Sequence, residues 1–278
     1  MNIPHPDLRI VPLDDILPHE ELDEPRAWAL VERIRADGVL RNPPIVAPID
    51  ESSADTRMVV LDGANRAFAM KHLGLTCTLV QVVRYSTGLV RLETWAHVIT
   101  GMSTPALMDL INSLDGIALE KVDPIGAVAM LARREAILSL IVAAGIYVVR
   151  GGCDLFEQSD RLLRVVNAYK THGVINRTAA KTIEEARPLF PNGAGLVVFP
   201  DYHPSEVIAA AREGAPLPCG VTRHVIQGRA LRVNYPLARL QECELLEAQN
   251  ARLAAWLHER AAARSIRFYA EPTFMFDE

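Results

Sequence analysis

The sequence has little of what staples a small fold or anchors one in a membrane. Its four cysteines (Cys77, Cys153, Cys219 and Cys243) lie far apart and form no CxxC pair. That spacing argues against a disulfide framework or a zinc site and for reduced thiols. The longest apolar stretch, Ala136 to Val149, is broken by Gly145 and is too short to span a bilayer. There is no basic excess: 29 Lys and Arg stand against 34 Asp and Glu, a net charge of -5. A general nucleic-acid-binding surface is not expected from that balance. Met1-Asn-Ile-Pro-His-Pro lacks the basic-then-apolar layout of a signal peptide, so the expected location is cytoplasmic. No internal repeat and no low-complexity tract is present.

What remains is globular. Half of the 278 residues are hydrophobic and 23% are charged, enough chain for one large domain or two ordinary ones. Leu8 to Leu13 reads as a strand. A helix starts near Glu24 with Pro25 at its favoured first position. Ala27, Leu30, Val31 and Ile34 form its buried face, and Gly38 ends it. Ile45 to Ile49, Met58 to Leu61 and Thr76 to Tyr85 read as strands. A helix is expected over Leu89 to Ile99, carrying Trp95 and His97. Ser103-Thr104-Pro105 caps the next helix, which Gly116 ends. Two β-like runs follow, Ala127 to Leu131 and Ile137 to Val149. Then come a helix over Glu157 to Tyr169, a strand over Gly195 to Phe199, and a helix over Ser205 to Arg212 between Pro204 and Gly214. A long helix is expected over Leu237 to Ala263 and a β-like end over Ile266 to Phe276. The class is α+β, a mixed α/β chain, with a domain boundary in Gly116 to Pro124: residues 1–116, then 117–278.

One stretch stands out. The apolar Met58–Leu61 run meets Asp62-Gly63, and an amphipathic segment then runs from Asn65 to Leu73. Strand, tight turn and helix aim free N–H groups and a positive helix end at one place. Arg66 adds a planar fork of donors suited to phosphate. Asp62 either caps the helix or has a chemical role at the mouth of this anion site. The acidic loop His19-Glu20-Glu21 with Asp23-Glu24 is either favourable helix N-terminal charge or the source of a general base. Thr222-Arg223-His224 after Gly220 is an ordinary strand start or a second site. Pattern alone supports a phosphate-binding α/β protein.

The order His19-Glu20, Arg26…Ile34…Gly38, Pro43-Pro44-Ile45-Val46 and Leu61-Asp62-Gly63-Ala64-Asn65-Arg66 resembles the ParB/sulfiredoxin fold. Within it, the chain is similar to the free L-serine kinases, SbnI-like and archaeal. The likeness extends to Trp95, Leu217-Pro-Cys-Gly-Val-Thr-Arg-His224, Arg229-Ala-Leu-Arg-Val-Asn-Tyr-Pro-Leu237 and Tyr269-Ala-Glu-Pro-Thr-Phe274. It implies a ParB/sulfiredoxin-like nucleotide-binding domain and a C-terminal α/β domain contributing to a serine pocket. It also implies phosphoryl transfer from ATP or ADP, with Mg²⁺, to the hydroxyl of free L-serine.

By the same resemblance Glu20 is the general base, and Asp62 positions the hydroxyl or a Mg²⁺. Gly63, Ala64, Asn65 and Arg66 cradle phosphate, and Arg26 and Arg33 contact nucleotide. Trp95, Thr222, Arg223 and His224 bind serine. No protein metal ligand is assigned beyond Mg²⁺ on the nucleotide and Asp62. Asn65 departs from the family, which commonly has histidine there; asparagine donates a hydrogen bond but carries no charge. Ala64 stands where a sulfiredoxin needs its attacking cysteine, so sulfinic acid reduction is not expected. A ParB-type nucleotide-sensing DNA-binding regulator is the alternative, opposed by the acidic pI of about 5.9. No membrane partner is expected. The oligomeric state is open, with a homodimer through the Leu237–Ala263 helix one option.

Overall fold

The computed structural model describes residues 5–52, 55–242 and 245–269. The chain divides into two compact units, and neither is continuous. The first comprises residues up to Ile16, Glu24–Leu89 and the segment from Ile226 onward; the second comprises Leu17–Asp23 and Val90–Val225. The division expected at residues 116–124 therefore differs from the structural one. The described residues from Ile226 onward return to the first unit, and a short acidic loop leaves it early.

The first unit contains β1 (Asp7–Pro12), Ile16 as the first residue of β2 (Ile16–Pro18), α1 (Glu24–Asp37), β3 (Val39–Leu40), β4 (Ile45–Pro48), β5 (Met58–Asp62), α2 (Ala64–His72) and β6 (Cys77–Val82). Its sheet runs β1-β6-β4-β5, with Ile16 opening the strand at the β5 edge. β1 lies antiparallel to β6, and β4 is parallel to β6. All six residues of β6 are buried, in keeping with its mostly apolar sequence. Ile10, Leu79, Val80, Met70, Val31 and Ile34 form the core.

The second unit contains β7 (Val90–Thr94), β8 (Ala96–Thr100), α3 (Thr104–Asn112), β9 (Leu119–Val122), α4 (Pro124–Ala132), β10 (Ala136–Val142), β11 (Gly145–Arg150), α5 (Leu155–His172), β12 (Val174–Thr178), α6 (Ile183–Ala186), β13 (Gly195–Val198), α7 (Pro204–Glu213) and β14 (Thr222–Ile226). Six strands form one sheet in the order β12-β8-β13-β10-β11-β9. Leu107 and Ile111 of α3 and Leu162, Val165 and Tyr169 of α5 pack on Leu138, Leu140 and Val197. Ala127, Met130 and Leu131 of α4 pack on Ala136 and Val148. β14 pairs with β7 outside this sheet.

The chain re-enters the first unit through β15 (Tyr235–Pro236), α8 (Ala238–Gln241) and α9 (Leu246–Ala262). β1 is an edge strand, and α9 finishes it. The Asn250 amide accepts from Ile10 N–H at 2.9 Å and donates to Ile10 C=O at 2.9 Å, as a neighbouring strand would. Gln81 likewise donates to Gly228 C=O and accepts from Ala230 N–H, both at 2.9 Å.

Four expectations change. Leu89 to Ile99 is not a helix but β7 and β8, broken at Trp95, whose N–H donates to Val221 C=O at 2.9 Å. Its Leu, Glu and Arg favour helix, but strand pairing overrides propensity. Ala127 to Leu131 is helical within α4, because Asp123 caps the first turn through Gly126 N–H at 2.9 Å and Pro124 sits at the start. The long helix is two: Glu242 is extended, which lets Gln249 reach Glu242 C=O at 3.0 Å and accept from the Cys77 thiol at 3.1 Å. Residues 266–269 are not strand, and 270–276 lie outside the described residues. Among the described residues Cys77, Cys153 and Cys219 are free thiols, and no helix is long and apolar enough to cross a membrane.

Asn250→Ala leaves both backbone groups of Ile10 without their side-chain partner. The expected cost is about 1–3 kcal/mol. Thermal denaturation reads it as a melting temperature lowered by several degrees; an unchanged melting temperature contradicts the edge-capping role.

Candidate functional site

The Asp62–Arg66 turn belongs to the first unit. Gly63 is the N-cap of α2 with φ +93°, a left-handed conformation that glycine adopts without strain. A Cβ at Gly63 would lie 2.8 Å from the Arg66 guanidinium, which folds back over it. Arg66 Nη1 donates to Asn42 C=O at 2.8 Å and Pro43 C=O at 3.1 Å. Its fork therefore clamps the turn to the β4 entry.

Asp62 does not cap α2, since no side chain does. Its Oδ2 instead accepts from Arg229 Nη1 at 2.6 Å and lies 3.4 Å from Arg66 Nη2. Two guanidinium groups against one carboxylate leave the turn net positive at the positive end of α2. Ala64 and Asn65, partly exposed, open that helix. Arg26 and Arg33 are exposed on α1, two turns apart, and take no part in these bonds of the turn. α1 meets α2 instead through Trp28, whose ring stands edge-on to Phe68 at 5.5 Å.

Glu20 belongs to the second unit. Backbone bonds fix its loop: Leu217 N–H donates to His19 C=O at 2.8 Å and Glu21 N–H to Leu217 C=O at 2.7 Å. The carboxylate then accepts three hydrogen bonds. Gly220 N–H reaches Oε2 at 2.8 Å; Thr222 N–H and Thr222 Oγ1 reach Oε1 at 2.6 and 2.7 Å. The Thr222 hydroxyl has one proton and gives it to Glu20, so His19 Nε2, 2.7 Å away, donates to Thr222 Oγ1. A carboxylate offers about four lone-pair sites. Three are occupied, Oε1 fully, so the open acceptor direction is on Oε2.

The residues expected to bind serine separate into two pairs. Burial alternates along β14, so Thr222 and His224 are buried while Arg223 points to the opposite face. His224 stands edge-on to His19 at 5.4 Å. Arg223 lies over the Trp95 ring, 4.3 Å from its centroid, and 3.3 Å from Glu93. Thr222 and His224 thus join Glu20, and Trp95 joins Arg223.

Several residues here had no role assigned from sequence. Arg229 was visible only as part of a resembling segment. His97, fully buried, has Nε2 3.0 Å from Gly220 C=O and Nδ1 2.8 Å from Tyr169 Oη. Burial pulls its pKa down to about 4, while the bond to Gly220 opposes that shift. Tyr169 is pushed well above its usual value by burial. Burial, and next Glu20, push the Cys219 thiol up, so it is not an activated nucleophile.

The fold is shared with free serine kinase structures. A glutamate-to-alanine variant of free serine kinase in complex with ADP superposes with a TM-score of 0.72 at 18% identity, covering 85% of this chain and 95% of that one. C-terminally truncated SbnI from Staphylococcus aureus gives 0.72 at 22% identity, covering 92% and 97%.

Among particular proteins, the chain is 25% identical to the ATP-dependent L-serine kinase SbnI of Staphylococcus aureus over the whole of both chains. It is 22% identical to the ADP-dependent L-serine kinase SerK of Thermococcus kodakarensis, over 84% of this chain and 93% of that protein. It is 34% identical over 119 residues to the ATP-dependent L-serine kinase of Staphylothermus marinus; that match spans 43% of this chain and 45% of the relative, less than half of each. No protein-family model matches the chain.

His97 also gives a pH prediction. Its folded pKa, about 4, lies below the ordinary 6.5, so the folded state holds it neutral. The stability this contributes is present above pH 6.5 and lost as pH falls toward 4. Denaturant unfolding between pH 7 and pH 4 is expected to fall more steeply for the wild type than for His97→Gln, which has no titrating ring. Parallel curves contradict the neutral buried imidazole.

Proposed function

We propose that this protein is a free L-serine kinase, moving a phosphoryl group from ATP or ADP to the side-chain hydroxyl of L-serine to give O-phospho-L-serine. The single observation that carries this reading is the Glu20 carboxylate, held by three donors with one acceptor direction open on Oε2. An oriented carboxylate with one open acceptor site suits a general base. In the proposed step Glu20 Oε2 takes the serine Oγ proton as Oγ attacks the terminal phosphorus. The bond from that phosphorus to the bridging oxygen breaks, releasing ADP from ATP or AMP from ADP. Names of the similar proteins include both donors, so the donor is ATP or ADP.

The Asp62–Arg66 turn is the proposed phosphate cradle. Phosphoryl transfer asks mainly for alignment and positive charge around the phosphate oxygens. The N-terminal N–H groups of α2 at Ala64 and Asn65 supply donors, and Arg229 adds a cation to the turn. Arg66 shapes the turn through its bonds to Asn42 and Pro43. Thr222 and His224 are assigned to the acceptor side with Glu20. Trp95 and Arg223 are kept as a second pair of serine contacts, and Arg26 and Arg33 as nucleotide contacts from α1.

Mg²⁺ would neutralise charge on the phosphates. Among the described residues no group of three or more His, Cys, Asp or Glu side chains is placed to hold a metal. Asp62 is the one carboxylate at the turn, and it pairs with Arg229. These residues fit a magnesium ion carried on the nucleotide and met by a single carboxylate, its common mode at phosphates. The DNA-binding alternative finds no support in these names, and α3 is followed by the strand β9 rather than by a second helix.

Purified protein with Mg²⁺, L-serine and either nucleotide is expected to form phosphoserine. Glu20→Gln keeps the shape and removes the proton acceptor, so kcat is expected to fall by about a hundredfold or more. No phosphoserine with either nucleotide, or a Glu20→Gln rate equal to the wild type, overturns the proposal.

A further inference from the structure

Gly220 lies where two neighbouring strands of the second unit converge. His97 on β8 and Arg177 on β12 are direct cross-strand partners. The Arg177 guanidinium covers the Gly220 α-carbon so closely that any Cβ there would collide with it, and the backbone is left-handed at φ +84°. His97 meets the carbonyl of the same residue at 3.0 Å. A carbonyl only accepts, so His97 Nε2 carries the proton and donates. The neutral ring then accepts the Tyr169 hydroxyl proton at Nδ1, across 2.8 Å. Phe199 packs edge-on against the imidazole at 4.9 Å, and Tyr169 is wholly buried in α5. Ring orientation and tautomer are both fixed.

The peptide unit that His97 holds is the one joining Gly220 to Val221. On either side lie the two peptide units whose N–H groups bind Glu20, those of Gly220 and Thr222. Holding the middle unit limits rotation of both flanking ones, because only φ and ψ are soft in the backbone. Resting on the kinase reading above, we infer that His97, oriented by Tyr169, is a positioning residue for the base: it holds the Gly220 turn so that two N–H groups aim the Glu20 carboxylate. Neither side chain takes the reaction proton; both act through the backbone.

The test compares wild type with His97→Gln, His97→Phe and Tyr169→Phe. Gln keeps a donor near the Nε2 position, and Phe fills the space without one. Tyr169→Phe removes only the hydroxyl and keeps the packing, so it remains informative if His97→Phe fails to fold. Two readouts are needed: phosphoserine kinetics, and amide hydrogen exchange at Gly220 and Thr222. His97→Phe is expected to lower kcat about tenfold or more with nucleotide KM unchanged, and to speed exchange at both amides while the β8-β13-β10 amides stay protected. Tyr169→Phe is expected to shift both readouts the same way by a smaller factor, and His97→Gln to restore most of each.

Equal losses in His97→Gln and His97→Phe, or unchanged exchange at Gly220 and Thr222 in both Phe variants, overturn the inference. If the wild type forms no phosphoserine, the kinase reading fails by itself, and exchange alone still decides whether His97 holds the turn.

Discussion

The structure around the candidate base depends on one interaction: a carboxylate gripped by backbone. Glu20 accepts from the N–H groups of Gly220 and Thr222, two hundred residues further along the chain. Charge-assisted bonds of this kind are about twice as strong as neutral ones. The short Leu17–Asp23 loop is held in the second unit by them and by the bonds between Leu217 and the loop backbone. Two of its neighbours are likewise hydrogen-bonded: His19 donates to Thr222, and His97 donates to Gly220. A buried network is an asset only when its members are paired.

The Asp62–Arg66 turn follows a different rule. Its carboxylate and its guanidinium groups are joined to one another, and a positive φ at Gly63 lets Arg66 fold back. Arg66 looked like the phosphate ligand; in the fold its donors close the turn. Arg229, brought in by a distant segment, supplies the further cation.

Elements with local signals were legible in the sequence. Ser103 with Pro105, Pro204 with Gly214, and Pro25 with Gly38 bracket helices that the structure contains. Where the deciding partner was remote, the signal was absent. Residues 89–99 carry helix-forming side chains but are strands, because β12, β13 and β14 pair with them. The extent of the first unit was hidden for the same reason: Asn250 finishes a strand that begins at Asp7. Among the candidate residues, Glu20, Thr222 and Asp62 stood out as chemistry-bearing types beside turns. Gly220 meets Glu20 through its backbone, and His97, bonded to Tyr169, meets the Gly220 carbonyl in the turn before β14; no spacing announces such contacts.

The central claim is that the open acceptor direction on Glu20 Oε2 receives the serine hydroxyl. A crystal structure with L-serine and a non-hydrolysable nucleotide analogue measures it directly. The account predicts serine Oγ within hydrogen-bond distance of Glu20 Oε2, with the Gly220 and Thr222 N–H bonds retained. Serine bound with its Oγ out of reach of Glu20, or Glu20 released from those two N–H groups, contradicts it.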